Sequence, residues 1–163
     1  MVAWAGLKSR ACLRRGCGAG GYRGCGAGRQ PARCARQAQQ AECFGSVARV
    51  LDPGGVFVIE CFVPDLARFD HDQRVQARAV SEDSAVIEVS RHDRVRQRVD
   101  TQMITFDGQG MHLRPVAIRY SWPAELDLMA GQAGLRLAER YAGWDRQPFT
   151  AASDRHVSVY RRA

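Results

Sequence analysis

The fold of this chain is decided by the segment "VARVLDPGGVFVIECFVPD" (Val47–Asp65), where a helical pattern gives way to a strand pattern. Four apolar residues have the i, i+3, i+4 and i+7 spacing of one helix face, namely Phe44, Val47, Ala48 and Leu51. The turn "DPGG" (52–55) ends this helix, because proline cannot continue it and glycine permits a sharp turn. The apolar run "VFVIECFV" (56–63) is typical of a strand buried on both faces of a parallel sheet. Helix, turn and buried strand together predict an α/β layer fold.

Residues 74–120 have a different pattern, in which β-branched and polar residues alternate over short stretches. Four stretches predict the strands of an antiparallel sheet with one face toward solvent, namely "RVQARAV" (74–80), "SAVIEVSRHD" (84–93), "RVDTQMITF" (98–106) and "MHLRPVAIRYS" (111–121). The tetrapeptide "DGQG" (107–110) predicts a hairpin turn between the last two strands. Pro115 predicts that its strand lies at an edge or carries a bulge, because proline donates no ladder hydrogen bond.

The segment "SWPAELDLMAGQAG" (121–134) predicts a helix after this sheet. Proline suits the first helical turn and glycine suits the position after the last turn, so we place the ends near Pro123 and Gly134. The apolar stripe of the helix consists of Leu126, Met129, Ala130 and Ala133. Two further strands are predicted over "LRLAERYAG" (135–143) and "RHVSVYRR" (155–162).

Residues 1–40 differ in composition from the rest and predict a disordered tail before a domain over residues 41–163. Residues 1–43 hold eight basic residues and one acidic residue, whereas the remainder holds sixteen of each, so the net charge of +7 lies in this first part. Five of the six cysteines lie there at spacings of 5, 8, 9 and 9 residues. These spacings lack the C-x-x-C knuckle typical of zinc sites, so we predict no metal. With one tyrosine for base stacking, the tail also does not favour nucleic-acid binding.

The chain shows no membrane or secretion signal in its hydropathy pattern. No apolar stretch reaches the roughly 18 residues of a membrane-spanning helix, and the first apolar run is shorter than a signal peptide requires. We therefore predict a cytoplasmic protein without membrane contact. The chain has one lysine against 23 arginines, as expected of a GC-rich gene. Because arginine, glycine, alanine and cysteine are favoured when such DNA is translated out of frame, we hypothesise that residues 1–40 are frame-shifted or mis-started.

Three stretches, in order, resemble class I S-adenosylmethionine-dependent methyltransferases. Val47–Asp65 is similar to the helix and "L-x-P-G-G" turn that lead into the fifth strand of that family. "IRYSWPAELDLMAGQAGLRLAERYAGWDRQPF" (118–149) resembles its late helix and sixth strand, and "SDRHVSVYRR" (153–162) resembles its closing seventh strand. The resemblance covers roughly residues 42–162. It implies a partial Rossmann-like sheet of the fifth to seventh strands, with the antiparallel strands as a substrate-side insertion.

The resemblance also implies S-adenosylmethionine as cofactor. The family holds it with the other half of the fold, where an acidic residue and G-x-G-x-G follow the first strand. Gly16, Gly18 and Gly20 have this spacing, yet no buried strand is predicted before them, and only 33 residues separate Gly20 from Pro53. Each βα repeat needs about 30 residues, so the intervening strands do not fit. We therefore predict no cofactor-binding residues here, and a truncated methyltransferase that is inactive as written.

The resemblance implies substrate-side residues after the fifth strand and at the end of the insertion. These are Glu60, Cys61, Phe62, Arg119, Tyr120 and Trp122, facing a small-molecule methyl acceptor of unknown identity. We expect His92, between charged neighbours in a predicted turn, and His156, on the last strand, to face solvent. The alternative function is a non-enzymatic binding or self-associating module. In the family order 3-2-1-4-5-7-6, a sheet of strands 5, 7 and 6 leaves the fifth strand as an exposed apolar edge.

Overall fold

The computed structural model describes residues 36–163 and the backbone of Arg10–Ala11. The elements in chain order are β1 (Arg10–Ala11), α1 (Gln37–Val50), β2 (Val56–Phe62), β3 (Gln73–Val80), β4 (Ala85–Asp93), β5 (Arg98–Asp107), β6 (Gly110–Arg119), α2 (Pro123–Gln132), β7 (Leu135–Tyr141) and β8 (Arg155–Arg162). The chain divides into two compact units. Unit 1 is formed by two segments of the chain, one up to Pro64 and one from Ser121 onward. Unit 2 spans Asp65–Tyr120 between them in sequence. The predictions for the glycine loop and the cysteines at positions 12–34 lie outside the described residues.

Unit 1 contains a sheet of four strands in the order β1-β2-β8-β7, in which every neighbouring pair is antiparallel. The prediction that β2 belongs to a parallel sheet is therefore wrong. An apolar run shows that a strand is buried but does not show the direction of its neighbours, and the partners of β2 come from opposite ends of the chain. The order β2-β8-β7 agrees with the fifth, seventh and sixth strands of the family resemblance.

Where the structure describes the first forty positions, it shows two elements that composition did not predict. Arg10 and Ala11 of β1 pair with Val58 and Phe57 of β2. The edge of β2 that we predicted to be exposed is therefore paired at these two residues. The helix α1 begins at Gln37, within the predicted tail. Gln40 is buried, and its side-chain oxygen accepts a hydrogen bond from the Ser121 hydroxyl at 3.0 Å. The helix α1 therefore begins about one helical turn before the predicted boundary after residue 40.

The core of unit 1 lies between the two helices and one face of the sheet. Its aromatic centre is formed by Phe44, Phe57 and Tyr160, each at most 1% exposed. The Phe44 ring meets the other two rings edge-on, at centroid distances of 5.7 and 5.8 Å. The remaining buried members come from both helices, the residue after α1, and the strands β2 and β7: Val47, Leu51, Ile59, Leu126, Met129, Ala130 and Leu135. The apolar stripes predicted for α1 and α2 thus supply the core.

The predicted ends of α2 are confirmed. Pro123 occupies the first helical position, where a missing N–H costs no hydrogen bond. Gly134 has φ of +74°, a left-handed conformation that ends the helix and that residues with a Cβ adopt at a cost. No helix among the described residues has both the length and the apolar character that crossing a bilayer requires.

Unit 2 is the predicted antiparallel sheet, with strand order β3-β4-β5-β6. Asp107 pairs with Gly110 across the predicted two-residue turn, and Pro115 lies on the edge strand β6. The polarity of β4 is the reverse of the usual arrangement. On β4 the side chains of Glu88, Ser90 and His92 are buried, whereas Val89 is exposed. A polar face of a strand therefore need not be the face toward solvent, which is why the alternating pattern did not identify the buried side chains.

Candidate functional site

The six residues implied by the family resemblance lie at three places in the chain. Glu60, Cys61 and Phe62 form the end of β2 in unit 1, and Trp122 precedes the first residue of α2 in the same unit. Arg119 ends β6 in unit 2, and Tyr120 follows it. Arg119 and Tyr120 are buried, whereas Trp122 is exposed. Each of these two units also contains a buried histidine that the sequence analysis placed in solvent.

His156 lies opposite Cys61 in the pairing of β8 with β2. Its side chain is fully buried, so the prediction that it faces solvent is wrong. On β8 it shares a face with Ser158 and Tyr160, and this face is turned toward the helices. Phe149 meets the imidazole edge-on at 5.8 Å. The Nδ1 atom lies 2.8 Å from the Ser158 hydroxyl, and Nε2 has no hydrogen-bond partner among the described residues.

A polar network continues from Ser158 along the same side of the sheet. A register shift in β7 between Leu137 and Glu139 places Arg140 opposite Ser158. Arg140 donates from Nε to the Ser158 hydroxyl at 2.8 Å and from its terminal nitrogen to Asp127 Oδ1 at 2.6 Å. The Tyr160 hydroxyl donates to the same Asp127 oxygen at 2.7 Å. This network satisfies the buried hydroxyls of β8 and joins α2 to the sheet.

Burial sets the protonation of this part of unit 1. Desolvation, with a smaller contribution from Arg140, lowers the pKa of His156 to about 4, so its imidazole is neutral at physiological pH. Burial, reinforced by Glu60, raises the pKa of Cys61 to about 12. Because the thiolate is the nucleophilic form of cysteine, Cys61 is a packing residue here rather than a nucleophile. Burial and the bond to Asp127 also raise the pKa of Tyr160.

The second buried histidine, His92, belongs to a chain of three side chains in unit 2. Its Nε2 atom lies 2.9 Å from the Tyr120 hydroxyl, and its Nδ1 atom lies 3.3 Å from Asp72 Oδ1. His92 is 6% exposed and Tyr120 is 4% exposed. The prediction of a solvent-facing His92 in a turn is therefore wrong, because β4 extends through Asp93. The period-two series Glu88, Ser90, His92 places these residues on one face of β4, but the series does not show that this polar face is the buried one.

The surroundings of His92 restrain both the ring and its carboxylate partner. Phe69 stacks on the imidazole at a centroid distance of 5.0 Å and an interplanar angle of 24°. Arg94 donates from Nε to Asp72 Oδ1 at 2.5 Å. This hydrogen bond is the main cause that lowers the pKa of Asp72, to which His92 also contributes. The carboxylate that faces His92 is therefore ionised at neutral pH.

An open depression of about 650 Å³ lies on unit 2. It is lined by polar residues, including Arg91, Arg98 and Asp100, and by apolar residues, including Val89, Pro115 and Ala117. The lining includes none of the three members of the Asp72, His92, Tyr120 chain. Within residues 36–163, no group of three or more histidine, cysteine or acidic side chains is arranged to hold a metal ion.

Comparison with solved structures relates this fold to methyltransferases. The CcbJ methyltransferase from Streptomyces caelestis matches with 38% sequence identity and a TM-score of 0.74, over 79% of this chain and 55% of that chain. DesVI from Streptomyces venezuelae matches with 27% identity and a TM-score of 0.50, over 77% of this chain and 51% of that chain. An S-adenosylmethionine-dependent methyltransferase from Clostridium acetobutylicum shares the fold at 11% identity, with a TM-score of 0.64 over 76% of this chain and 50% of that chain.

The chain therefore belongs to the class I S-adenosylmethionine-dependent methyltransferases, as its sequence motifs indicated. S-adenosylmethionine is the cofactor of this family. The chain spans about half the length of the solved structures that it matches. No protein-family model matches the chain, and a search of curated protein sequences found no match.

Proposed function

We propose that this chain supplies the acceptor-side part of a methyltransferase that transfers a methyl group to a small molecule. The observation that carries this proposal is the 38% identity to the CcbJ methyltransferase over 79% of the chain. An identity of this size over both an αβ framework and an inserted sheet supports a shared activity beyond a shared fold. Methyl transfer depends mainly on positioning the acceptor in line with the methyl group. A preorganised acceptor-side surface is thus the contribution that this half makes.

We further propose that the chain alone does not bind S-adenosylmethionine. The described glycines support this, because none follows a strand and opens a helix as a cofactor loop does. Gly54 and Gly55 precede β2, Gly108 and Gly110 belong to the hairpin turn, and Gly134 ends α2. Within residues 36–163, one strand leads directly into a helix, namely β6 before α2, and it does so through Tyr120, Ser121 and Trp122. The described residues therefore do not fit the cofactor.

Within this proposal, the candidate substrate-side residues are Glu60, Cys61, Phe62 and Trp122 of unit 1 and Arg119 and Tyr120 of unit 2. Glu60, Phe62 and Arg119 offer a carboxylate, an aromatic face and a guanidinium, and Tyr120 and Trp122 add two further aromatic side chains. Cys61 contributes shape, since its thiol is held protonated by burial. The proposal also includes a cytoplasmic location and gives the basic residues of the first forty positions no role in nucleic-acid binding.

The experiment that tests this function is translation of the gene in all three frames upstream of codon 41. We expect a buried strand followed by an acidic residue and G-x-G-x-G in another frame. A protein restored in that frame should transfer a radiolabelled methyl group from S-adenosylmethionine to a small-molecule acceptor. If no frame encodes such a strand, the cofactor half is not adjacent in the gene, and the methyltransferase proposal for this locus fails.

A self-associating module is the alternative function, and the exposed face of unit 2 favours it. Val75 on β3 and Met111 and Leu113 on β6 are exposed by 70%, 59% and 56%, and these apolar side chains lie on the same face of the sheet. If this face associates, Leu113→Lys should convert a concentration-dependent dimer into a monomer in sedimentation velocity. Val95→Lys is the matched control, because Val95 is 95% exposed in a turn and not on the sheet. A wild-type chain that is monomeric at all concentrations excludes the module.

A further inference from the structure

We infer that Tyr120, His92 and Asp72 form a proton relay that takes up the proton released when the acceptor is methylated. This inference rests on the proposed function and deepens it by assigning a route for the proton. It is carried by three observations in unit 2: the geometry of the chain, the charge at its far end, and the strained backbone that holds it. None of the three was visible in the spacing of the sequence, since His92 and Tyr120 are 28 residues apart.

The geometry fixes the direction of the hydrogen bonds. Asp72 is an ionised carboxylate and can only accept, so the Nδ1 atom of His92, which faces it at 3.3 Å, carries the ring proton. The Nε2 atom then has a lone pair, and the Tyr120 hydroxyl, 2.9 Å away, is its donor. Phe69 stacks on one face of the ring and restrains it in this orientation. The same arrangement of carboxylate, imidazole and hydroxyl activates hydroxyl groups in other enzymes.

The proton balance is simple. Methylation of a neutral amine or hydroxyl leaves one proton in excess on the product. That proton passes to the Tyr120 oxygen while the proton already on Tyr120 passes to His92 Nε2, so the phenol is regenerated. His92 becomes an imidazolium beside the Asp72 carboxylate, and the opposite charges stabilise each other. The pair returns the proton to solvent through Asp72, whose side chain is 38% exposed.

The backbone that holds the relay is strained. Among the described residues, four that are not glycine have positive φ. They include Asp72 of this chain at 63°, its sequence neighbour His71 at 45°, and Gln97 at 51°. The Asp72 carbonyl accepts the His92 amide at 2.8 Å, and the Gln97 carbonyl accepts the Tyr120 amide at 3.0 Å. Left-handed backbone in such residues costs free energy and tends to occur at functional sites. A histidine that served only for packing would not require strained backbone at 71–72 and at Gln97 to orient Asp72 and Tyr120.

The test is the tautomer of His92 in the full chain, measured by long-range 1H–15N correlation on a sample labelled with 15N-histidine at neutral pH. The relay requires the proton on Nδ1 and an unprotonated, hydrogen-bonded Nε2. Tyr120→Phe should keep the Nδ1–H tautomer but shift the Nε2 resonance, because its donor is lost. Asp72→Asn should remove the preference for Nδ1–H. His92→Gln assigns the signal, and His112→Gln, which removes an exposed histidine, should leave the His92 signals in place.

A wild-type His92 with its proton on Nε2 overturns the inference, because Tyr120 is then an acceptor and cannot pass a proton to the ring. A Tyr120→Phe variant with an unshifted Nε2 resonance overturns it as well. These outcomes do not depend on cofactor binding, so they are distinct from failure of the proposed function, which is decided by the upstream reading frames. If a variant loses its dispersed amide spectrum, it is unfolded and its result is not used. The wild-type tautomer alone then decides whether Tyr120 donates to His92.

Discussion

Replacing Phe44 with alanine tests whether α1 is held on the sheet as the structure indicates. Phe44 is 1% exposed, and its ring lies edge-on to Phe57 at 5.7 Å and to Tyr160 at 5.8 Å. It is the one contribution of α1 to the aromatic centre of the unit 1 core. Its removal therefore breaks two aromatic contacts at once and leaves a cavity beneath the helix.

The magnitude follows from burial. A buried aromatic side chain contributes about 150–250 Å² of apolar area, and each edge-to-face pair adds about 0.5–1.5 kcal/mol. Truncation of a buried phenylalanine to alanine, including the cavity left behind, costs about 3–5 kcal/mol. We expect this loss for Phe44→Ala. Phe44→Leu retains most of the volume and should lose about 1–1.5 kcal/mol, so it provides a measurable variant if the alanine variant does not fold.

The assay is urea unfolding of the full chain, followed by far-UV circular dichroism. Val50→Ala is the matched control on the same helix, because Val50 is 73% exposed and its change should stay within about 0.5 kcal/mol. A loss of less than about 1 kcal/mol for Phe44→Ala would refute the packing of α1 described above.

Three further predictions concern unit 1. Burial lowers the pKa of His156 from 6.5 to about 4, so between these pH values the unfolded chain binds a proton that the native chain excludes. The free energy of unfolding should therefore be constant above pH 6.5. It should fall by up to about 1.4 kcal/mol per pH unit as the pH decreases toward 4. His156→Gln should flatten this dependence in urea unfolding at several pH values, whereas an unchanged slope would contradict the assignment. Gly134→Ala should destabilise by about 1 kcal/mol, because alanine at φ +74° is strained, while Gly131→Ala within α2 should be neutral or stabilising; equal effects on Tm would contradict this. Tyr160→Phe should lower the free energy of unfolding by about 0.5–1.5 kcal/mol, because it removes one hydrogen bond to Asp127. Asp127→Ala should lower it further, because it also removes the partner of Arg140. A larger loss for Tyr160→Phe than for Asp127→Ala would exclude the network.

Most elements of this fold could be predicted because each is encoded by a local signal. The turn at 52–55, the hairpin at 107–110 and the two ends of α2 depend on proline and glycine, whose conformational limits act within a few residues. The apolar stripe of α2 likewise depends on helical spacing alone. The direction of the neighbours of β2 could not be predicted, because pairing with β1 and β8 is a contact between distant parts of the chain.

The candidate site was harder to predict than the fold. His92 and His156 were both expected in solvent, since an isolated histidine on an alternating strand has no preferred face in the sequence. Their burial depends on which face of each sheet is covered, and on β4 the covered face is the polar one. Tyr120 was selected from the family resemblance, but its hydrogen bond to His92 depends on strands that are brought together only in the folded sheet. The glycines at positions 16–20 remain a prediction, since they lie outside the described residues.

Calorimetric titration of the full chain with S-adenosylhomocysteine tests most directly whether this chain lacks a cofactor site. We predict no heat of binding beyond dilution, because none of the described glycines follows a strand and opens a helix as a cofactor loop does. Saturable binding with a stoichiometry of one would contradict the account. It would place a cofactor site within this chain and make the chain itself the methyltransferase to assay.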